Sequence, residues 1–458
     1  MDGITTQRAR ADAAACSPVH RRLVLCVLSM AVLVAQIDTA VVNLAVRPIG
    51  QFFHAEVGPL QWVIDAYNLA YAALLLSGGL LADLYGRRRA FVWGALVFSV
   101  ASVLCALAPS VRWLVGARAM AGVGASLMLP ASLAILRVVW RDPAERAHAL
   151  GVWAACNGLA MAIGPTAGGL LVTHFGWRAV FWVVVPVSAA IVVLALRVVP
   201  ESSDPAHRRF DALAQMLGAL VLGGLAFAAI EARQAPAVAT SVFVSALAAL
   251  AWFLRVEARQ GAQALVPLDL FRIRPFRGAI VATTGMTFGM YGVLFLLPLM
   301  WQSTGRFSIV GAGIALMPMA LVFMAVSPVS GVVVRRCGVR LATAGGVGVI
   351  ALGLLMLGAF AGEASVGLAL TGLGMGFATG PLMGAAVGAV GPERSGTASA
   401  LVNVARMSGA TLGVAVLGAA YAASGGGVPG LRVAMLCGGA VQLVCAAVAW
   451  RHGAGRDS

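Results

Sequence analysis

Gly79-Leu-Leu-Ala-Asp83-Leu-Tyr-Gly86-Arg87-Arg88-Arg89 closes one long apolar run and precedes another, so a carboxylate and three arginines share a turn too short for anything but a tight helix–helix connection. A degenerate echo follows 252 residues later, where Gly331, Arg335, Gly338 and Arg340 stand at the positions of Gly79, Asp83, Gly86 and Arg88. A polar turn repeated once per half of an otherwise greasy chain marks an internally duplicated membrane protein.

Composition sets the same class. The chain is 60% hydrophobic and 11% charged, with mean hydropathy +0.93, far beyond a soluble core. Apolar runs long enough to span a bilayer lie near 23–46, 58–82, 90–108, 112–136, 147–173, 177–197, 212–231, 236–254, 276–301, 308–334, 341–361, 364–390, 396–422 and 430–450. The expectation is an all-α integral membrane protein of fourteen spans with both termini cytoplasmic. Charge placement tests that count. All 32 basic residues are arginine; with the N-terminus inside, 24 fall on the cytoplasmic side and six outside (Arg47, Arg112, Arg178, Arg233, Arg306, Arg432). Arg118 and Arg406 lie within spans. This is the positive-inside bias, and a wrong number of spans would scramble it downstream.

The net charge of +15 therefore needs no nucleic acid; arginines on the inner face meet membrane lipids and fix orientation. Trp62, Trp113, Trp177 and Trp301 fall at predicted outer ends and read as interface anchors. Seven scattered cysteines without CxxC spacing read as packing residues, and no metal site is expected. The N-terminal tail does not read as a cleavable signal. No phosphate-binding GxxxxGK[ST] loop is present, so any energy source acts within the membrane, and no cofactor is expected.

The echo extends further. Gly122 and Gly124 are answered by Gly372 and Gly374, and Asn157 by Asn403, so spans one to six correspond to nine to fourteen. The predicted organisation is a cytoplasmic tail (1–22), an N-terminal six-helix bundle (23–197), linkers with an inserted transmembrane hairpin of spans seven and eight (198–275), a C-terminal six-helix bundle (276–450) and a cytoplasmic tail (451–458). Two similar bundles facing across a central cavity form the architecture that alternating access requires.

At this point the chain resembles the major facilitator superfamily, specifically its fourteen-span drug:proton antiporter branch (the QacA/EmrB type). Four blocks carry the resemblance: Ile37-Asp38 through Asn43-Leu-Ala45; Trp62 and Asp65-Ala-Tyr67 running to Arg89; Arg118 followed by Gly122 and Gly124; and Gly158 through Gly164-Pro165 to Gly168-Gly169. Departures exist: the proline after Asn43 stands one place late at Pro48, Leu84 replaces a basic residue in the turn, Ala121 replaces a glutamine and Val184 an asparagine. None removes a charged group from the core.

Ionisable groups at membrane depth cost at least about 2.5–3.5 kcal/mol each on insertion scales, which makes them functional candidates. Asp38, Asp65, Arg118 and Arg406 are such residues. A proton and a cationic ligand can compete for one carboxylate, the simplest physical form of antiport, and Asp38 is the first candidate. The alternative is that Asp38 only pairs with Arg118 or caps Asn43. Asp65 reads either as a second proton or substrate site or as a partly solvated acid at the outer mouth. Arg118 cannot realistically deprotonate; the resemblance places it in the proton relay, against a fixed structural ion pair. Arg406 either faces the cavity or reaches a backbone carbonyl.

For the turn, the resemblance implies a conformational latch in which Gly79 allows close approach to a span of the other half and Asp83 meets that helix's positive end. Gly86 is part of the turn, and Arg87 and Arg88 serve as ion-pair partners; a merely solvated turn is the alternative. Gly158, Gly164, Pro165, Gly168 and Gly169 look like the antiporter motif, a steric device that bends span five and seals it against its partner; plain helix packing is the alternative. Asn43, Tyr67, Asn157, Tyr291, Asn403 and Arg406 are candidate cavity residues. The resemblance thus implies a monomeric, proton-coupled exporter of small lipophilic, often cationic or aromatic compounds. A dedicated exporter of one natural product and a non-transporting sensor or lipid-handling protein are the rivals. No nucleophile–base constellation suggests an enzyme.

Overall fold

The computed structural model describes residues 18–140, 142–203, 211–261, 264–360, 364–391 and 394–453. Most of the predicted N-terminal tail, the middle of the first linker, the end of the C-terminal tail and the Asn157 side chain lie outside the described residues. With no water in the hydrocarbon core, a spanning backbone must satisfy its own hydrogen bonds, and the apolar runs accordingly form helices. They are α1 (Pro18–Phe53), α2 (Val57–Tyr85), α3 (Arg87–Ala106), α4 (Val111–Val139), α5 (Pro143–Phe175), α6 (Ala179–Val198), α7 (Ala212–Glu231), α8 (Pro236–Gln260), α9 (Arg274–Ser303), α10 (Ile309–Cys337), α11 (Leu341–Ala359), α12 (Ala364–Gly388), α13 (Ser395–Ala423) and α14 (Gly427–His452). Thirteen are each long and apolar enough to cross a membrane, and α5, bent by 41° near Ala160, makes the fourteenth. The helices overrun the predicted spans: α1 continues through Pro48 to Phe53. Helix α10 is broken into segments, with prolines at 318 and 328 beside its breaks.

The duplication appears in the packing. α1 lies along α5, α2 along α4, α3 along α4 and α6; in the other half α9 lies along α13, α10 along α12, α11 along α12 and α14. The echoed glycines do the same work in both copies. A Cβ on Gly122 would strike the backbone carbonyl of Tyr67 in α2, and one on Gly372 the carbonyl of Met319 in α10. The echoed turns match as well, since Gly86 (φ 110°) and Gly338 (φ 87°) both occupy the positive-φ region that side chains avoid.

The two halves meet most extensively along two seams that the repeat exchanges, α2 with α13 and α5 with α10, and α1 also touches α9. Helices α7 and α8 pack on each other, and α7 alone of the two lies against α2 and α13.

The turn at Gly86 is held by the segment of chain after α6. Glu201 accepts the Arg88 backbone N–H at 3.0 Å and stands 3.7 and 3.8 Å from Arg88 and Arg89. Truncation by Glu201→Ala is expected to lower stability by about 1 kcal/mol, mostly through the lost hydrogen bond because Arg88 is partly exposed and Arg89 largely so. Thermal melting of the purified variant checks this.

Candidate functional site

The buried charges gather where α1, α2 and α4 meet. Asp38 on α1 and Arg118 on α4 form an ion pair of 2.5 Å with both side chains 2% exposed. Arg118 also donates Nε–H to the carbonyl of Val63 at 3.1 Å and lies 4.6 Å over the Tyr67 ring, both on α2. The guanidinium thus ties three helices together. Small residues make this possible: Gly122, one turn further along α4, lets α4 lie directly on the α2 backbone at Tyr67. Asn43, one turn beyond Thr39, donates to the Thr39 carbonyl at 2.8 Å and leaves its own oxygen without a protein partner. Asp38 therefore pairs with Arg118 and Asn43 with its own helix.

Asp65 is different. It is 0% exposed, and neither carboxyl oxygen has a hydrogen-bond partner among the described residues. Asn68, one turn on, is also 0% exposed with both side-chain polar atoms unpartnered. The expectation of a partly solvated acid at the outer mouth is therefore replaced by a fully enclosed one. Gln61, Asp65, Asn68 and Ala72 recur at helical spacing on one face of α2. That face meets α13, because Gln61 donates to the carbonyls of Val414 and Ala415 at 2.9 and 3.0 Å. Gly418 supplies the room, since any side chain there would collide with the Gln61 amide.

Across the bundle interface, Tyr291 on α9 is 6% exposed, and Arg406 on α13 is close enough to act electrostatically on Tyr291 and on Tyr71 of α2. Arg406 Nε is buried without a hydrogen bond. Asn403 donates back to the Ser399 carbonyl at 3.1 Å and stays on its own helix. The structure thus brings Asp38, Arg118, Tyr67, Tyr71, Tyr291 and Arg406 into one polar and aromatic chain running between the halves. Among the described residues no group of His, Cys, Asp and Glu is arranged to hold a metal ion.

The antiporter-motif glycines divide their work. Cβ atoms built on Gly164 and Gly168 would press on Ala40 and Val41 of α1 at 2.7 and 2.5 Å. Gly169 faces Val310 of α10 at 2.9 Å, and the Pro165 carbonyl lies 2.5 Å from the same construction on Gly313. Gly158 has only Phe323 nearby, at 3.9 Å. These tight crossings, with Gln61 on α13 and Gln302 donating to the Leu44 carbonyl at 3.3 Å, close the halves together at their predicted outer ends.

The latch residues sit otherwise than expected. Gly79 faces Pro130 of α4 in its own half, while its neighbour Gly78 makes the close crossing, onto the backbone of Ser126. Asp83 pairs with Arg87 at 2.8 Å. The direct approach of this turn to the other half is thus replaced, in this conformation, by Arg137 of α4. Arg137 lies within electrostatic reach of Asp83, and its Nη1 stands 3.4 Å from where a Cβ on Gly396, at the start of α13, would lie.

Sequence reasoning missed Gln61, Asn68 and Tyr71. Helical spacing from Asp65 and Tyr67 was the available signal. Gln61→Leu would remove both hydrogen bonds to α13 while keeping the volume. Its expected effect is to weaken the closed outer seam by roughly 1–2 kcal/mol. Faster modification of a cysteine placed at Val414 by a water-soluble maleimide added from outside measures this.

A sequence profile for the Major Facilitator Superfamily matches residues 28–414. The multidrug resistance protein Stp of Mycobacterium tuberculosis is 36% identical over 395 residues, covering 84% of this chain and 73% of its own. The methylenomycin A resistance protein of Streptomyces coelicolor is 30% identical over 444 residues, covering 93% and 90%. Among solved structures, a POT family transporter bound to a thioalcohol-conjugated peptide superposes with TM-score 0.71 at 14% identity, covering 93% of this chain and 94% of that one. At that identity the likeness speaks for the fold alone.

Proposed function

Because the chain belongs to the major facilitator superfamily and is a multi-pass protein of the bacterial plasma membrane, we propose that it exports lipophilic, often cationic or aromatic compounds in exchange for protons. The observation that carries this reading is the pair of enclosed carboxyl groups in the N-terminal half, one bound to a guanidinium and one without a hydrogen-bond partner among the described residues. Two states of charge are built into such a pair. Protonating Asp38 removes the counter-charge of Arg118, which cannot lose its own proton, and so favours a rearrangement of α1, α2 and α4. Asp65, without a partner, can take a proton or face a cationic guest. Tyr67, Tyr71 and Tyr291 offer aromatic faces along the same path, to which cations and flat rings are drawn.

In this cycle a proton entering from outside releases cargo outward, and its loss toward the cytoplasm resets the carboxylate. The crossing of Gly169 of α5 onto α10 acts as a steric stop at the outer face, and the turn at Gly79 to Arg88 takes the matching role at the inner face in the opposite conformation. The names of the relatives support export of antimicrobial compounds, and they include both a multidrug and a single-antibiotic protein. A dedicated exporter of one natural product is therefore the second reading. A resistance profile of an efflux-deficient host separates the two: broad protection supports the first, protection against one compound the second, and no protection argues against export altogether.

A further inference from the structure

The inserted hairpin breaks the symmetry of the molecule in one respect. The repeat produces two equivalent seams between the halves, but α7 lies over only the α2–α13 seam. It is attached to both sides. At its predicted inner end Gln215, buried, donates to the Ala73 carbonyl and accepts the Ser77 hydroxyl of α2. At the other end Arg233 donates to the Ala422 carbonyl of α13 at 2.7 Å. Between these, Phe227 packs on Trp62 with ring centroids 6.2 Å apart, and Ala226 and Ile230 bury Ala415.

The two seams differ in what they contain. The α5–α10 seam is closed by glycine-mediated backbone contact at Gly169 and Gly313. The α2–α13 seam holds, in addition, an unpartnered carboxyl group and amide on α2. Gln61 fixes its register against Val414 and Ala415, so one turn inward Asp65 of α2 comes level with Thr411 of α13, and Asn68 lies nearly a further turn inward. Thr411 is itself 0% exposed with an unpartnered hydroxyl. Helical spacing puts Asp65 between the face of α2 that meets α13 at Gln61 and the face that meets α7 at Trp62 and Leu69, the latter 3.4 Å from a Cβ built on Gly223. A carboxyl group bordering lipid draws water and headgroups toward itself.

We propose that α7 is a lateral seal: it bridges the two halves over the α2–α13 seam and separates Asp65, Asn68 and Thr411 from the bilayer. Water, and with it a proton, then reaches Asp65 along the seam only when α13 lets go of Gln61. The consequence for coupling rests on the reading of Asp65 as a proton carrier; the seal itself rests on the packing.

Dicyclohexylcarbodiimide, which reaches carboxyl groups from the lipid phase, tests the seal independently of transport. The full chain in lipid nanodiscs at acidic pH is treated with this reagent, and labelling of the Asp65 peptide is followed by mass spectrometry. Wild type is expected to label slowly. The double variant Gln215→Ala with Arg233→Ala is expected to label roughly tenfold faster or more, as is Phe227→Ala, a milder change should the double variant fail to fold. Rapid labelling of wild-type Asp65, or equal rates in wild type and a folded variant, overturns the seal. If Asp65→Asn leaves substrate-driven proton movement intact, the proton-carrier reading fails instead, whatever the labelling shows.

Discussion

Asp38→Asn is expected to abolish proton-coupled export and to destabilise the folded protein together. The amide keeps the shape of the side chain but leaves Arg118, 1% exposed, without its counter-charge. Breaking a buried ion pair by removing one partner costs about 3–5 kcal/mol in soluble proteins. Here the Val63 carbonyl and the Tyr67 ring retain part of the guanidinium's stabilisation, which places the loss toward the lower end of that range. Thermal melting in detergent and drug efflux from an efflux-deficient host measure the two effects. Adding Arg118→Met removes the stranded cation and should recover most of the melting temperature without recovering efflux. A double variant that stayed as unstable as the single one would mean that Asp38 supports the fold through contacts other than Arg118.

Asp65→Asn should produce an equally large functional defect with the opposite structural signature. Among the described residues no group hydrogen-bonds to either oxygen, so the amide deprives no partner, and stability should stay within about 1 kcal/mol of wild type. Transport should change because one titratable group leaves the cycle. A proton fewer per turnover lowers the attainable concentration ratio about tenfold for each pH unit of gradient, and if Asp65 carries the sole coupled proton, uphill movement stops. The contrast is the useful part: both variants lose efflux, but only Asp38→Asn loses stability. Equal destabilisation by the two would show that Asp65 has a structural partner after all.

The fold was legible because bilayer thickness fixes helix length and because the polar turn at Asp83 interrupts the apolar pattern so sharply. Gly122 and Gly372, matched by spacing alone, prove to make the same backbone crossing. What hydropathy does not carry is the direction each helix faces. Trp177 and Trp301, placed at the membrane interface by position, are 5% and 1% exposed inside the protein, and Trp62 packs on Phe227 of the inserted hairpin. An aromatic ring satisfies the hydropathy of a lipid-facing site and of a helix contact equally. Position along α2 alone places Asp65 near the mouth; its full enclosure, at 0% exposed, comes from tertiary packing that hydropathy does not carry. The expected meeting of the Gly79 turn with the opposite half depends on which side of the molecule is closed, and a sequence encodes both states at once.

Opposite movement of protons and cargo through the carboxyl groups at 38 and 65 is what the proposed function requires. Its most direct test uses purified protein in sealed proteoliposomes carrying a lumenal pH dye, with a gradient of a lipophilic cation such as ethidium as the sole driving force. Wild type should move protons against the cation flow, and Asp38→Asn combined with Asp65→Asn should abolish that movement. Cation flux without any pH change, or an undiminished pH change in the double variant, would rule out exchange through these two carboxyl groups.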